Sequence, residues 1–265
     1  MLRVAIKAEN LYLGYGDTLI VKDVSINIPR GSFCSVIGPN GCGKSTLLKA
    51  LSRNLPVRSG TIFINGKHLK SYDTKILSRK LAFLTQSPHI PDQFSVKDLV
   101  SYGRFPHTNW IGILKSKDYE MINWAMDITE ITRFEERELT SLSGGERQRV
   151  WIAMALAQEA EILLLDEPTT HLDIAHQFHI LELIHKLNRE MKRTVLMVLH
   201  DLNQAARYSD YLYVLNNGRL HAHGSPNEII TETMLREVFS IDTKIIRDED
   251  NDCPYFIPLG GVHNE

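Results

Sequence analysis

Apolar and polar positions along the chain alternate with two different periods. Near the N-terminus they read as short strands. Leu11 to Tyr15 closes on the turn Gly16-Asp17, and Val24 to Ile28 alternates apolar and polar residues. The mostly apolar run Ser32 to Ile37 predicts a strand that enters a glycine-rich loop. A helix follows from Lys44, with Leu47, Leu48 and Leu51 on one face. Thr61 to Ile64, with Asn65-Gly66 after it, predicts a strand and a hairpin turn. Leu81 to Thr85 predicts another strand that ends just before Gln86. From Ser87 to Glu159 the pattern becomes helical. Ser95 and Ser116 are expected as N-caps for segments beginning at Val96 and Lys117, with the breaker-rich loop Gly103-Arg104-Phe105-Pro106-His107 between them. Strands return at Ile162 to Asp166, Thr194 to His200 and Tyr211 to Leu215. Helices from Asp173 to Glu190 and Asp201 to Tyr208 separate them. This β-then-α order predicts an α/β fold with a mostly parallel sheet, into which the helical stretch is inserted. Asp248 to Asp252 reads as a solvated hairpin tip.

Composition narrows the class. A chain of 265 residues can bury a sizeable core as one large domain or two modest ones. A net charge of -2, with both signs interspersed, argues against nucleic acid as a partner. No apolar run approaches the ~18 residues a membrane helix needs, and the N-terminus lacks a signal peptide's apolar centre. The expectation is a cytosolic chain whose membrane contact comes through a partner. Cys34, Cys42 and Cys253 are too few and too widely spaced for a disulfide framework or a zinc pattern. Cys42 is read as a small residue filling a variable slot of the glycine loop.

Three stretches carry chemistry. Gly38-Pro39-Asn40-Gly41-Cys42-Gly43-Lys44-Ser45-Thr46 contains G-x-x-x-x-G-K-[ST] between an apolar strand and a helix. Its glycines let backbone N–H groups turn around phosphate oxygens, and the helix start adds a favourable dipole. Lys44 supplies charge to the β- and γ-phosphates of ATP, and Ser45 a hydroxyl for Mg²⁺. Ile162 to Glu167 is an apolar strand ending in two carboxylates. Asp166 suits the Mg²⁺ shell, and Glu167 suits the group that polarises an attacking water. In Leu142-Ser143-Gly144-Gly145-Glu146-Arg147-Gln148, Ser143 and Glu146 form a capping box that opens a helix. A capped start with two glycines also suits an anion. His176, His179 and His185 invite a metal reading, but their spacing is loose, and an exposed or partly packed helix face is expected.

With these motifs in this order, the chain resembles the ATP-binding subunits of ABC transporters over nearly its whole length. The resemblance implies a P-loop NTPase core with a mostly parallel sheet, an antiparallel β subdomain and an inserted α-helical subdomain. One ABC ATPase domain is expected over 1–265. Residues 1–86 and 160–230 form the nucleotide-binding core, 87–159 the helical signature subdomain and 231–265 a C-terminal tail. The resemblance assigns Ser143, Gly144 and Gly145 to the γ-phosphate held by a second copy's P-loop. It makes Tyr15 the ring that stacks on adenine. Gln86 links Mg²⁺ and water to the transporter interface, and His200 is the switch histidine. His171-Leu172-Asp173 is the loop that touches the partner's site. The implied partners are a second copy, integral membrane permease subunits and, indirectly, a solute-binding protein. The implied place is the cytoplasmic face of a bacterial membrane.

Three further stretches resemble the importer ATPases for iron–siderophore, haem and cobalamin: Gly103 to His107, Asp173-Ile174-Ala175-His176-Gln177 and His200-Asp201-Leu202-Asn203-Gln204-Ala205. A ferric siderophore is the expected cargo. Haem, cobalamin and metal-cation import, and an exporter ATPase, remain open within transporters. Outside them stand a soluble ABC protein of translation or DNA repair and a non-hydrolysing nucleotide sensor.

Overall fold

The computed structural model describes residues 3–86, 94–109, 111–170 and 172–261. His171 and the first residues of the helical stretch, 87–93, lie outside them. Among the described residues the strands are β1 (Val4–Tyr15), β2 (Thr18–Pro29), β3 (Phe33–Ile37), β4 (Ser59–Ile64), β5 (Lys67–His68), β6 (Leu81–Leu84), β7 (Ile162–Asp166), β8 (Thr194–Val198), β9 (Tyr211–Asn216), β10 (Arg219–Gly224), β11 (Ile241–Asp248) and β12 (Cys253–Gly261). The α-helices are α1 (Lys44–Leu51), α2 (Thr74–Ser78), α3 (Val96–Tyr102), α4 (Ser116–Ile128), α5 (Gly144–Ala157), α6 (Ile174–Met191), α7 (Leu202–Tyr208), α8 (Pro226–Ile229) and α9 (Glu232–Phe239). The chain forms two compact units, residues 1–70 with 194–265, and residues 71–193.

The first unit holds an antiparallel sheet in the order β2-β1-β4-β5 and a second run of strands in the order β10-β9-β3-β8. In the latter, β3 pairs in parallel with both β8 and β9. All five residues of β3 and of β8 are buried, as strands covered on both faces require. Strands β1 and β2 are longer than the predicted Leu11 to Tyr15 and Val24 to Ile28. Both are broken by a positive-φ residue, Asn10 at 47° and Asp23 at 56°. The register shifts between Ala8 and Leu11, so the alternation slips there and hides the N-terminal half of the strand. The two irregular sites brace each other. Asn10 donates to Asp23 through Nδ2 at 3.0 Å, and its backbone N–H donates to Ser25 Oγ at 2.9 Å. The expected tail resolves into α9 and the hairpin β11–β12, whose tip at Glu249 to Asp252 is exposed.

The second unit carries the parallel pair β6–β7 with α2 to α6. Ser95 caps α3 as predicted, accepting from the Asp98 N–H at 3.1 Å. The predicted Ser116 cap is corrected. Ser116 is already helical, and the cap position is Lys115, whose N–H is taken by Asp118 Oδ2 at 2.8 Å. The other oxygen of Asp118 faces Arg104, which is 2% exposed. Arg104 Nε donates to Asp118 at 2.9 Å, and its Nη1 donates to the Ala157 carbonyl at 2.7 Å and to Glu159 at 3.2 Å. The segment after α3 is thereby tied to the start of α4 and the end of α5. Gly103 lets that segment close, since a Cβ there would lie 2.2 Å from the Met154 carbonyl oxygen.

Burial opposes ionisation of Asp118, but the Lys115 N–H and the Arg104 guanidinium outweigh it and hold the carboxyl below its usual range. This contribution to stability is complete above the unfolded carboxyl's value near ~4 and is lost as pH falls through the lower folded value. Arg104→Ala leaves a buried carboxylate without its partner. It is expected to cost about 3–5 kcal/mol of stability, read as an earlier urea midpoint.

Candidate active site

In the first unit the glycine loop begins where β3 ends. Gly38 and Gly43 take φ of 149° and 107°. A Cβ on Gly38 would lie 2.1 Å from the Leu215 carbonyl oxygen, so no side chain fits. Pro39, Asn40, Gly41 and Cys42 round the bend, and α1 opens at Lys44 with no side chain capping it. A helix start behind a glycine loop favours an anion there. Lys44 is 5% exposed, and its ammonium donates to the carbonyls of Gly38 at 2.9 Å and Pro39 at 3.0 Å. The lysine is thus held inside the loop, beside the positive end of α1. Ser45 and Thr46 follow in the first turn. Cys42 is buried, and burial pushes its thiol up more than the Lys44 charge pulls it down. That suits a packed, unreactive side chain, as the sequence suggested.

The loop packs on the β1–β2 hairpin. A Cβ on Gly43 would meet Val21 Cγ2 at 2.8 Å. Tyr15 ends β1 opposite Thr18, across the two-residue turn at the end of that hairpin. Its ring is 47% exposed, an apolar face offered to solvent.

His200 stands at the same end of the parallel strands as the loop. Val36 of β3 pairs with Val198 of β8, so Gly38 and His200 each lie two residues past a paired position. The carboxyl ends of parallel strands are where α/β folds gather ligands. Asp201 caps α7 by accepting the Gln204 N–H at 2.9 Å, which turns the chain just after His200. Sequence reasoning missed a neighbour. Asn203 clamps the backbone of β12, donating to the Phe256 carbonyl at 3.2 Å and accepting the Phe256 N–H at 3.0 Å. Asn203→Ala is expected to cost about 1–3 kcal/mol, measured by urea unfolding.

In the second unit, β6 and β7 run in parallel with Leu84 opposite Leu165. Gln86 and the carboxylates therefore leave the strands at one end. Asp166 is 2% and Glu167 9% exposed. Glu167 adopts φ of 53°, uncommon for a residue with a Cβ. This left-handed turn ahead of Pro168 departs from strand alternation at the second of two adjacent acids. Such conformations cost about 1–3 kcal/mol and gather at functional sites. Glu167 Oε2 accepts from Gln86 Nε2 and, at 3.2 Å, from Thr170 Oγ1. Thr170 was not foreseen; its signal is the hydroxyl three residues beyond Glu167.

Ser143, Gly144 and Gly145 form the start of α5. The capping box is present, with Glu146 N–H donating to Ser143 Oγ at 3.3 Å and Ser143 N–H to Glu146 Oε2 at 2.8 Å. These bonds hold Glu146 below its usual range. Ser143 and Gly144 are exposed, and what Gly145 meets is the ring of His176. His176 pairs with Asp173. Among the described residues no group of three His, Cys, Asp or Glu side chains is arranged to hold a metal ion.

These features coincide with known proteins. A family model described as ABC transporter matches residues 21–170, more than half of the chain. The iron(3+)-hydroxamate import ATP-binding protein FhuC of Bacillus subtilis is 47% identical over 98% of this chain and 97% of its own. The ferric enterobactin transport ATP-binding protein FepC of Escherichia coli is 43% identical over 96% and 94%. Among solved structures, a chain of a metal-chelate type ABC transporter in an inward-facing conformation superposes with a TM-score of 0.84, at 31% identity, over 98% of both chains. With its glycine loop, its paired strand-end carboxylates and its capped signature helix, the chain belongs to the ABC transporter family, among its ATP-binding proteins.

Proposed function

We propose that this chain hydrolyses ATP to power uptake of a ferric siderophore through membrane permease subunits, as one 265-residue ABC ATPase domain. The observation that carries the hydrolytic reading is Glu167, buried, held by Gln86 and Thr170 and turned into a left-handed conformation at the end of β7. It is the carboxylate we assign to orienting and polarising the attacking water. Lys44 and the N–H groups of Gly38 to Thr46 bind the phosphates, His200 contacts the γ-phosphate and Tyr15 stacks on the adenine. Ser45, Asp166 and the Gln86 carbonyl are oxygen donors suited to a hard divalent cation. Mg²⁺ is the cation we assign to these three residues, and it would supply positive charge that neutralises phosphate. Gln86 donates to Glu167 through its nitrogen, which leaves its carbonyl for this task.

Ser143, Gly144 and Gly145 serve a second copy's ATP. The exposure of Ser143 and Gly144 at a capped helix start supports that assignment. Two copies then close around two nucleotides, and ATP drives closure by its higher affinity for the closed pair. The cargo class rests on the relatives. Two near-full-length neighbours are named for chemically different ferric chelates, which supports the class over any single member.

No helix among the described residues is long and apolar enough to cross a membrane. From its likeness to import ATP-binding proteins we place the chain at the cytoplasmic face, held by permeases. A groove of about 600 Å³ in the second unit fits that contact. Phe94, Tyr102, Phe105, Leu114 and Tyr119 line it, with Lys97 and Asp98 beside them. Phe105 is 68% and Tyr102 55% exposed, whereas Arg104 points inward. The loop Gly103 to His107, which we expect to contact a permease, is thus divided between a docking face and an internal tie. A cysteine at 105 is expected to crosslink to a permease subunit, and one at 104 is not. Steady-state ATPase activity, with copurification of permease and solute-binding subunits, tests the function as a whole. A chain that binds ATP but never turns it over would overturn the hydrolytic reading.

A further inference from the structure

Asp173 holds His176 twice. Its Oδ1 caps α6 by accepting the His176 N–H at 2.9 Å, and both carboxylate oxygens lie 2.8 Å from the ring nitrogen Nδ1. Backbone and ring are fixed by one side chain, so the imidazole has little rotameric freedom left. Its other edge lies against the start of α5. A Cβ built on Gly145 would sit 2.7 Å from His176 Cδ2, 3.1 Å from Cγ and 3.2 Å from Nε2. Only a residue without a side chain admits the ring at that distance. The ring of His179 meets that of His176 edge-on, with centroids 6.4 Å apart. Of the three histidines that suggest a metal in the sequence, His176 is thus engaged with a carboxylate and with the signature glycine, and His185 accepts from Arg189 Nε at 3.2 Å.

We propose that His176, held by Asp173, is a positioning residue for Ser143, Gly144 and Gly145. It is a wall that fixes where the first N–H groups of α5 point when they meet the other copy's ATP. This rests on the two-chain reading above. Hydrogen-bond donors act on developing charge only if they are held in place beforehand, and a displacement of about 1 Å can cost up to ~100-fold in rate. The wall belongs to the chain that offers the signature, not to the chain whose P-loop holds the nucleotide.

Complementation separates these sides. His176→Ala alone is expected to lower kcat by about 10- to 100-fold, with an unchanged far-UV spectrum. Mixed with Lys44→Ala, it should recover activity, because that partner supplies an intact signature to the His176→Ala chain's P-loop. Mixed with Ser143→Arg it should not, because both lesions then lie on the signature side. The mixture of Lys44→Ala with Ser143→Arg is the control. If the control fails, the two-chain reading falls. If the control recovers and His176→Ala is rescued by both partners or by neither, the positioning role falls. Full activity of His176→Ala alone overturns it as well. Should His176→Ala melt early, His176→Gln carries the same test. A coupling readout adds to it: Gly145→Ala should cost far less in the His176→Ala background, where its methyl has room. Equal cost in both backgrounds contradicts contact between ring and helix start as the means of action.

Discussion

Glu167→Gln is expected to slow ATP hydrolysis by about 100- to 10,000-fold, the contribution of a positioned general base. The substitution is nearly isosteric, and the new amide oxygen can still accept from Gln86 and Thr170, the two donors that hold Glu167. The left-handed turn and the burial at the end of β7 should therefore survive. What is lost is the negative charge that draws a proton from water. The loss should fall on kcat, with KM for ATP little changed, as for a group that acts only in the transition state. Stopped or steady-state phosphate release measures it. Full turnover by the variant would remove Glu167 from the chemistry and leave its unusual backbone unexplained.

A mixture of Lys44→Ala and Ser143→Arg chains is expected to hydrolyse ATP although each alone is nearly inactive. Lys44 is buried within its loop on carbonyls of Gly38 and Pro39, so its loss removes the cation that phosphates would meet. Ser143 caps α5, and an arginine there costs about 1 kcal/mol of cap while placing a bulky side chain over the exposed helix start. The Lys44 ammonium, though buried, is bonded among the described residues only to carbonyls of its own loop, and Ser143 is exposed, so both chains should fold. In a mixed pair, the Ser143→Arg copy lends its P-loop and the Lys44→Ala copy its signature, which completes one site. A single-chain site predicts no recovery at any mixing ratio. ATPase activity titrated against the ratio of the two chains, at constant total protein, separates the cases.

How far the sequence revealed this molecule depends on how local each feature is. The buried parallel strands β3, β7 and β8 read directly, because a strand covered on both faces needs an unbroken apolar run. The caps at Ser95 and Ser143 read equally well, because a cap is decided within four residues, whereas Asp173 and Asp201 were read as helical and prove to be caps. The first halves of β1 and β2 did not. Asn10 and Asp23 insert bulges that shift the alternation, and the two compensate across the hairpin, where one-dimensional periodicity has no view. At α4 the cap is supplied from inside the helix by Asp118, a carboxylate also held by Arg104 from fourteen residues earlier. The glycine loop and the strand-end acids were legible as types, since phosphate and water activation ask for few residue kinds. The left-handed backbone of Glu167 and the ring of His176 on Gly145 were not. The first is a conformation, and the second joins positions thirty-one apart in the sequence.

We propose that two copies of this chain complete each ATP site. Glu167→Gln offers the direct measurement, because a hydrolysis-deficient chain should hold ATP long enough for its pair to be weighed. Light scattering on the purified variant, with and without Mg·ATP, reads the mass. The account predicts a doubling of mass with Mg·ATP, reversal when nucleotide is removed, and no doubling once Ser143→Arg is added to the same chain. Tight ATP binding by a particle that stays at the mass of one chain would contradict it.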